Sequence, residues 1–352
     1  MEAPTRALPR GFRPSMIHFR KRQIVIGGIL LILIAFAVPI WMAAGELVSP
    51  ERRTLQDYHR EWLNHSAVHG LSIKAFSTSQ RTPCLLAEPD AEAGPAERGQ
   101  RLREQLQALG HSLEPYGTVQ ATLVLLHGRK GRKEDLLPVA ERFCAAGFRC
   151  IMPDLPAHGE NPTATVCFAT VDEEARLPET VLAEAAQKFH FSPGPTGLWG
   201  MSMGGAFAVR AASSSPDHWG ALIVVSSFDT LGSVIDGQLQ WSCGGAGLIR
   251  IAVAGVAAAR GGVRLGKAQP AVWASKVMMP VLVAHGDADS LIPLAGGQRL
   301  FQAFGSADKQ FITVASGDHD NVLVTPMPLY SIMSDWFLRS LKLSGESIPA
   351  RQ

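Results

Sequence analysis

A single serine, Ser202, lies between two glycines in the stretch GMSMG, directly after a short apolar run. Glycine at positions 200 and 204 removes the Cβ atoms that would clash where a strand turns sharply into a helix, and such a turn exposes the serine hydroxyl. A chain of this composition contains the pattern by chance in roughly a quarter of cases. Its significance therefore depends on the residues that accompany it.

The chemical partners that a serine needs follow other predicted strands. A serine hydroxyl becomes a nucleophile when a base takes its proton, and histidine is the natural base if a carboxylate fixes its tautomer. In an open parallel sheet, ligands bind beyond the carboxyl ends of the strands. Serine, aspartate and histidine are available there, in that order. The strand-end residues are His127, Asp154, Ser202, Asp229, Asp289 and His319.

The elements that could position these residues alternate from about residue 120. Continuous Val, Ile and Leu strands that alternate with helices predict an α/β protein with a mostly parallel sheet and helices on both faces. Two shorter β-like runs, at 71–77 and 83–87, come first. The alternation of strands and helices stops at 229–277. An apolar stretch in this segment contains Arg250 and is short for a second membrane span, so we expect it to form a small helical cap. The strand segments are ATLVLLHG, FRCIMPD, TGLWGMS, GALIVVSS, PVLVAHGD and KQFITVAS.

An uncharged segment near the N-terminus, residues 24–44, is 21 residues long. As a helix it would extend about 31 Å, enough to cross a bilayer core. Six basic residues precede it, whereas the basic residues after it alternate with acidic ones, which predicts a cytoplasmic N-terminus and a domain on the outer (periplasmic or extracellular) side. A signal peptide cleaved near Ala43, Ala44 and Gly45 is the alternative.

These features predict the organisation of the whole chain. A basic N-terminus at 1–23 precedes the transmembrane anchor at 24–44, a stalk at 45–70, a catalytic domain at 71–342 and a C-terminal tail at 343–352. A net charge of +2 with interspersed signs argues against nucleic-acid binding. The five cysteines are too scattered for a disulfide scaffold or a paired zinc site, although one or two bridges stay open, and we expect no metal or cofactor.

Three motifs resemble those of the α/β-hydrolase superfamily: HGRKG after the third strand, GMSMG, and HGDADSLIP followed by SGDHDN. The chain is similar to the serine-aminopeptidase-like and dienelactone-hydrolase-like branches. The resemblance implies the α/β-hydrolase fold, with Ser202 as nucleophile, Asp289 as acid and His319 as base. It also implies an oxyanion hole formed by the backbone N–H groups of Met203 and Arg129.

Each assignment has a competitor. Asp287 in the same loop and Asp229 after the sixth strand are alternative acids to Asp289, and His285 is an alternative base that we expect to be structural. We expect His127 to shape the oxyanion hole through its backbone.

The segment DLPAHGEN resembles the superfamily's loop after the fourth strand, with Asp154 and His158 at the floor of the site. A basic cluster beside the predicted mouth is expected to be a solvated loop, and recognition of an anionic substrate or lipid headgroup is the alternative. The cluster comprises Arg129, Lys130, Arg132 and Lys133.

These observations predict a membrane-anchored serine hydrolase that cleaves a carboxylic ester or thioester of a small or lipid-like acyl substrate. A serine peptidase of the aminopeptidase or oligopeptidase type would use the same groups. It would also need an acidic residue to hold a free amine, and the cap offers only Asp229 and Asp236, so esters are favoured. A catalytically silent, membrane-tethered binding module is the second alternative.

Overall fold

Eight strands form one sheet in the order β1-β2-β4-β3-β5-β6-β7-β8 in the computed structural model, which describes residues 16–243, 247–262 and 265–343. The pairs β1–β2 and β2–β4 are antiparallel, and all other neighbouring pairs are parallel. The mostly parallel sheet predicted from the sequence is thus confirmed. The strands are β1 Leu71–Ser77, β2 Pro83–Pro89, β3 Ala121–Leu126, β4 Phe148–Pro153, β5 Thr196–Met201, β6 Ala221–Val225, β7 Val281–Gly286 and β8 Lys309–Val314.

Helices cover both faces of this sheet. Along β3, Val124 and Leu126 pack into one hydrophobic core, whereas Leu123 and Leu125 pack into the other, because successive side chains of a strand point to opposite faces. The helices are α1 Met16–Val48, α2 Asp57–Asn64, α3 Glu97–Ala108, α4 Leu137–Ala145, α5 Asp172–Ala175, α6 Leu177–Phe189, α7 Met203–Ser214, α8 Leu231–Cys243, α9 Gly247–Gly261, α10 Pro270–Ala274, α11 Leu294–Ala303 and α12 Leu329–Ser340.

The first core contains residues of α6, α7, α10 and α11, and the second contains residues of α3, α4 and α12. The segment between β6 and β7, where the alternation breaks, forms α8, α9 and α10. Helix α9 packs against the C-terminal part of α1. The helical insertion and the first helix of the chain are therefore neighbours.

Helix α1 is long and apolar enough over Ile26–Val48 to cross a membrane, judged by length and composition, and such a helix is found in membrane anchors and in signal sequences. Its apolar side chains are exposed along most of its length, for example Leu31, Leu33 and Phe36. At its C-terminal end the pattern changes, since Ala44 and Val48 are completely buried in the first core. One end of α1 therefore belongs to the domain and the other projects from it.

The segment expected to form a stalk packs against the domain. Helix α1 continues to Val48, and α2 buries His59 and Trp62, which lie three residues apart on one helix face. The Trp62 ring stacks on the ring of His69 at 3.5 Å. Residues 1–15 of the predicted cytoplasmic segment 1–23 lie outside the described residues. So do residues 344–352 of the predicted C-terminal tail.

Candidate active site

Ser202 lies at a sharp turn between β5 and α7. Its backbone has φ 54° and ψ −121°, a positive-φ conformation that non-glycine residues seldom adopt. A Cβ at Gly200 would collide with the carbonyl group of Gly204, and a Cβ at Gly204 would collide with the carbonyl group of Leu126. The two glycines allow the helix to start close against the sheet, which fixes the serine at the tip of the turn.

Three side chains from separate turns form a continuous hydrogen-bonded chain. The Nε2 atom of His319 lies 3.0 Å from the Oγ atom of Ser202, and its Nδ1 atom lies 2.8 Å from an oxygen of Asp289. The other carboxylate oxygen of Asp289 accepts backbone hydrogen bonds from Leu291 at 3.0 Å and Ile292 at 2.8 Å. With Nδ1–H donating to the carboxylate, Nε2 is free to accept the serine proton.

The alternative acids and the alternative base have other partners. Asp229 accepts from the Nε of Arg299 at 2.6 Å and from Ser233 at 2.7 Å. Asp287 accepts from the backbone N–H of Ser316 at 2.7 Å.

His285, the alternative base, is buried behind the acid. It donates through Nε2 to the carbonyl oxygen of Ile292 at 2.7 Å, and burial lowers its pKa. The Nε2 atom of His285 also lies 3.6 Å from the carboxylate of Asp289. His285 therefore supports the loop that carries Asp289 and does not contact Ser202. Its position within the buried strand β7, one residue before the strand ends, was a signal for this structural role.

The turn after β3 brings Gly128, the residue before Arg129, beside Ser202. A Cβ at Gly128 would lie 3.4 Å from the Cβ of Ser202. His127 donates through Nδ1 to the carbonyl oxygen of Gly128 at 2.8 Å and accepts through Nε2 from the backbone N–H of Leu155 at 3.0 Å. Burial lowers the pKa of His127 to about 4, so the ring is neutral and holds the turn in place.

The family described as Serine aminopeptidase, S33 matches this chain over residues 117–235. The chain has the α/β-hydrolase fold. A Pyrococcus furiosus esterase, Pf2001, is similar to this chain at a TM-score of 0.59 and 15% identity, with 83% of this chain and 98% of that chain covered.

Two further solved structures have the same fold as this chain. One is TT1662 from Thermus thermophilus, with a TM-score of 0.50, 17% identity and coverage of 77% of this chain and 98% of that chain. The other is a membrane phospholipase A described as a bacterial virulence factor, with a TM-score of 0.50, 15% identity and coverage of 91% and 99%. The α/β-hydrolase fold predicted from the sequence motifs is confirmed, and the family match agrees with the resemblance that those motifs carry.

Two members of the basic cluster are not part of a solvated loop. Arg132 and Lys133 are buried, and the Nζ atom of Lys133 lies 2.9 Å from Asp154, 2.7 Å from Glu160 and 3.0 Å from Glu134. The expectation of solvation was wrong for these two residues, because their acidic partners lie on the following turn and on the loop after β4. Lys133 therefore connects the turn after β3 with the loop after β4.

The other two basic residues contact α1. The Nζ atom of Lys130 lies 2.7 Å from the carboxylate of Glu46, and the Nη2 atom of Arg129 lies 3.2 Å from it. Arg129 also donates to the backbone carbonyl oxygen of Glu46. Hydrogen bonds and ion pairs therefore connect the turn after β3 to the C-terminal end of α1. The sequence analysis did not predict this contact.

A cavity of about 890 Å³ opens in front of Ser202 and His319. Its volume falls in the range of pockets that enclose small ligands. The wall opposite the sheet is largely apolar and comes from the loops and the helical insertion. Among the residues that line it are Phe168, Phe228, Leu231, Val234, Ile235 and Val253, and α1 contributes Ala43, Glu46 and Leu47.

Proposed function

We propose that this chain is a membrane-anchored serine hydrolase that cleaves carboxylic esters or thioesters through an acyl-Ser202 intermediate. The observation that carries the proposal is the hydrogen-bonded chain from Ser202 through His319 to Asp289, which faces a largely apolar cavity. A serine in a packing role would have no need of a base held in this tautomer. The arrangement matches the requirements of acyl transfer in each part.

The reaction follows from these positions. His319 accepts the proton of Ser202 through Nε2 while the serine oxygen bonds to the acyl carbon, and Asp289 stabilises the imidazolium that forms. The imidazolium then donates its proton to the departing alcohol or thiol, which leaves the acyl group on Ser202. Water enters, gives a proton to His319 and attacks the acyl carbon, and the carboxylic acid departs as the proton returns to the serine.

The backbone N–H groups of Arg129 and Met203 are our proposed oxyanion hole. Among the described residues, no acceptor is bound to either N–H. Both groups therefore can donate to the oxygen that becomes negative in the tetrahedral intermediate, and this stabilisation is a large term in acyl transfer.

Esters fit the cap better than peptides with a free amine do. Of the two acidic residues between 229 and 277 that could hold an ammonium group, Asp229 is bound to Arg299 and Asp236 lies 3.3 Å from Arg250. The peptidase alternative draws support from the family match and from Asp320, an exposed carboxylate at the cavity rim. Aminoacyl arylamides distinguish it, because a peptidase that uses Asp320 would cleave them and lose that activity in Asp320→Asn.

The contacts of α1 favour a retained anchor over a cleaved signal peptide. Ala44 is completely buried, and the carbonyl oxygen of Trp41 accepts a hydrogen bond from Arg260 at 2.9 Å. Cleavage near Gly45 would remove both contacts and expose apolar core. We propose that the N-terminus is cytoplasmic and the domain lies on the outer side, and N-terminal sequencing of the mature protein tests retention.

A fluorophosphonate probe tests the proposal, since it reacts with an activated serine. We expect stoichiometric labelling of the folded full-length chain and none of Ser202→Ala, together with hydrolysis of p-nitrophenyl esters. Ser226→Ala is a matched control, because Ser226 is buried after the neighbouring strand β6. Absence of labelling in folded protein would favour a catalytically silent binding module, and labelling that persists in Ser202→Ala would show that another residue is the nucleophile.

A further inference from the structure

We propose that the cavity receives its substrate from the bilayer that holds α1, and that this substrate is a long-chain acyl ester lipid. This inference rests on the proposed function, since it names the substrate class of the same site. It goes further in stating the route: the acyl chain passes along the C-terminal end of α1 into the apolar cavity and does not cross water.

The first observation is that the helix and the cavity share a wall. Ala43, Glu46 and Leu47 of α1 line the same cavity as Ser202 and His319. The apolar stretch that can span a membrane, Ile26–Val48, includes these three residues. The end of the apolar helix is itself part of the cavity wall, which places the cavity beside the membrane that the helix enters.

The second observation locates that surface along α1. The guanidinium of Arg260 lies 4.4 Å from the ring of Trp41 and donates to its carbonyl oxygen. A guanidinium is unfavourable in hydrocarbon and tryptophan prefers the interface, so the hydrocarbon ends near Trp41. Leu47 is six residues further on, which is about 9 Å along a helix.

The third observation is that the end of α1 is held firmly. The backbone N–H of Val166 donates to the carbonyl oxygen of Val48 at 2.8 Å. Glu46 pairs with Lys130 and Arg129, and the guanidinium of Arg260 lies against Gly45. The domain therefore packs firmly against the C-terminal end of α1. This packing fixes the position of the cavity relative to the membrane.

The chemistry of the cavity fits an acyl ester lipid. In a bilayer, the ester groups of such a lipid lie at the interface, at the level of the Glu46 pairs, and its chain lies in hydrocarbon. Each methylene that crosses water does so at a cost, whereas a route into an apolar cavity keeps it buried. The apolar side chains of the insertion, Val234, Ile235 and Val253, offer that environment next to Ser202.

The test uses the full-length chain in phosphatidylcholine vesicles and two esters with one leaving group, methylumbelliferyl hexadecanoate and methylumbelliferyl acetate. The hexadecanoate is placed either in the vesicles that carry the protein or in separate vesicles. We expect turnover in the shared vesicles to exceed that in separate vesicles by about tenfold or more. The shared-vesicle rate should also be unchanged when the suspension is diluted at constant surface density.

A matched pair of variants tests the route along α1. Both Ala43 and Ala35 are exposed on this helix, but only Ala43 is among the residues that line the cavity. We expect Ala43→Trp to lower the ratio of kcat/KM for hexadecanoate to that for acetate by about tenfold, and Ala35→Trp to leave the ratio unchanged.

The membrane route would be overturned by equal rates in shared and separate vesicles, or by an unchanged ratio in Ala43→Trp. The proposed function would still stand if acetate were hydrolysed and Ser202 were labelled. Loss of acetate hydrolysis together with absence of labelling in the wild type would instead overturn the proposed function, and the membrane route with it.

Discussion

The two sides of the cavity are built in different ways. On the sheet side, Ser202, Asp289 and His319 are fixed by turns directly after strands, and each polar atom has a close partner. On the opposite side, the wall is assembled from α1 and the helical insertion, and its charged contacts are partly exposed. Strand ends in a packed sheet supply rigid positions, whereas changes in the helical wall should have smaller effects on the reacting groups.

This difference leads to an expected order of effects. Changes at the strand ends should remove activity or the fold, because they break buried geometry. Changes on the α1 side should reduce activity by small factors or alter substrate preference. Three substitutions with matched controls measure the difference.

The largest effect is expected for Asp289→Asn, compared with Asp229→Asn. The neutral amide that replaces the Asp289 carboxylate would no longer stabilise the His319 imidazolium or hold its tautomer, and in a Ser-His-Asp site such a change lowers kcat by about three to four orders of magnitude. Asp229→Asn should lower kcat by less than about tenfold, since its partner is Arg299. Steady-state kinetics with p-nitrophenyl acetate provides the measurement.

The opposite ranking of these two variants would show that Asp229 is the acid. Circular dichroism of both variants ensures that a folded protein is compared in each case.

The next effect concerns the turn itself and compares Gly204→Ala with Gly255→Ala. A Cβ at position 204 would collide with backbone carbonyl groups of Leu126 and His127, which cannot move aside without opening the sheet. We expect a loss of about 3 kcal/mol or more in the free energy of unfolding. At Gly255, an exposed position of helix α9, nothing lies within 4 Å of the added atom, and alanine should stabilise by up to about 1 kcal/mol.

Denaturant midpoints of the two variants and the wild type check this prediction. A midpoint for Gly204→Ala equal to that of the wild type would mean that the elbow has more room than its backbone contacts indicate.

The sheet side could be predicted from the sequence because its constraints are local. The glycines around Ser202 and the apolar run before it predict the turn, and the order of strand ends predicts which residues meet at one edge. The sequence left Asp229 open as an alternative acid to Asp289. The structure differs between the two because Arg299 of α11 forms an ion pair with Asp229. The sequence pattern of one loop does not indicate which distant arginine or lysine will form an ion pair with its carboxylate.

The α1 side could not be predicted for the same physical reason. Glu46 and Arg129 are 83 residues apart, and neither has a local pattern that marks the other as its partner. Arg132 and Lys133 have the composition of a solvated loop, yet they are buried because Asp154, Glu134 and Glu160 compensate their charges. The orientation of α1 in a membrane stays a prediction from the distribution of basic residues.

The smallest of the three effects is expected for Glu46→Gln, which removes the charge that holds Arg129 and Lys130. Partly exposed ion pairs contribute at most about 1 kcal/mol, so we expect kcat with p-nitrophenyl acetate to fall by about two- to fivefold. Glu46 would act as a positioning residue, through the turn that carries the Arg129 N–H. Because an oxyanion hole acts on the transition state, kcat should fall while KM stays constant.

The control is Glu51→Gln, which removes another exposed charge five residues further on. Added salt should lower wild-type kcat towards the Glu46→Gln value and leave Glu46→Gln nearly unaffected, since the pair is screened. Glu46→Asp should restore part of the loss. A change in KM alone, or an equal loss in Glu51→Gln, would show that the end of α1 is attached to the domain without influencing the reacting groups, and the two walls of the cavity would then be independent.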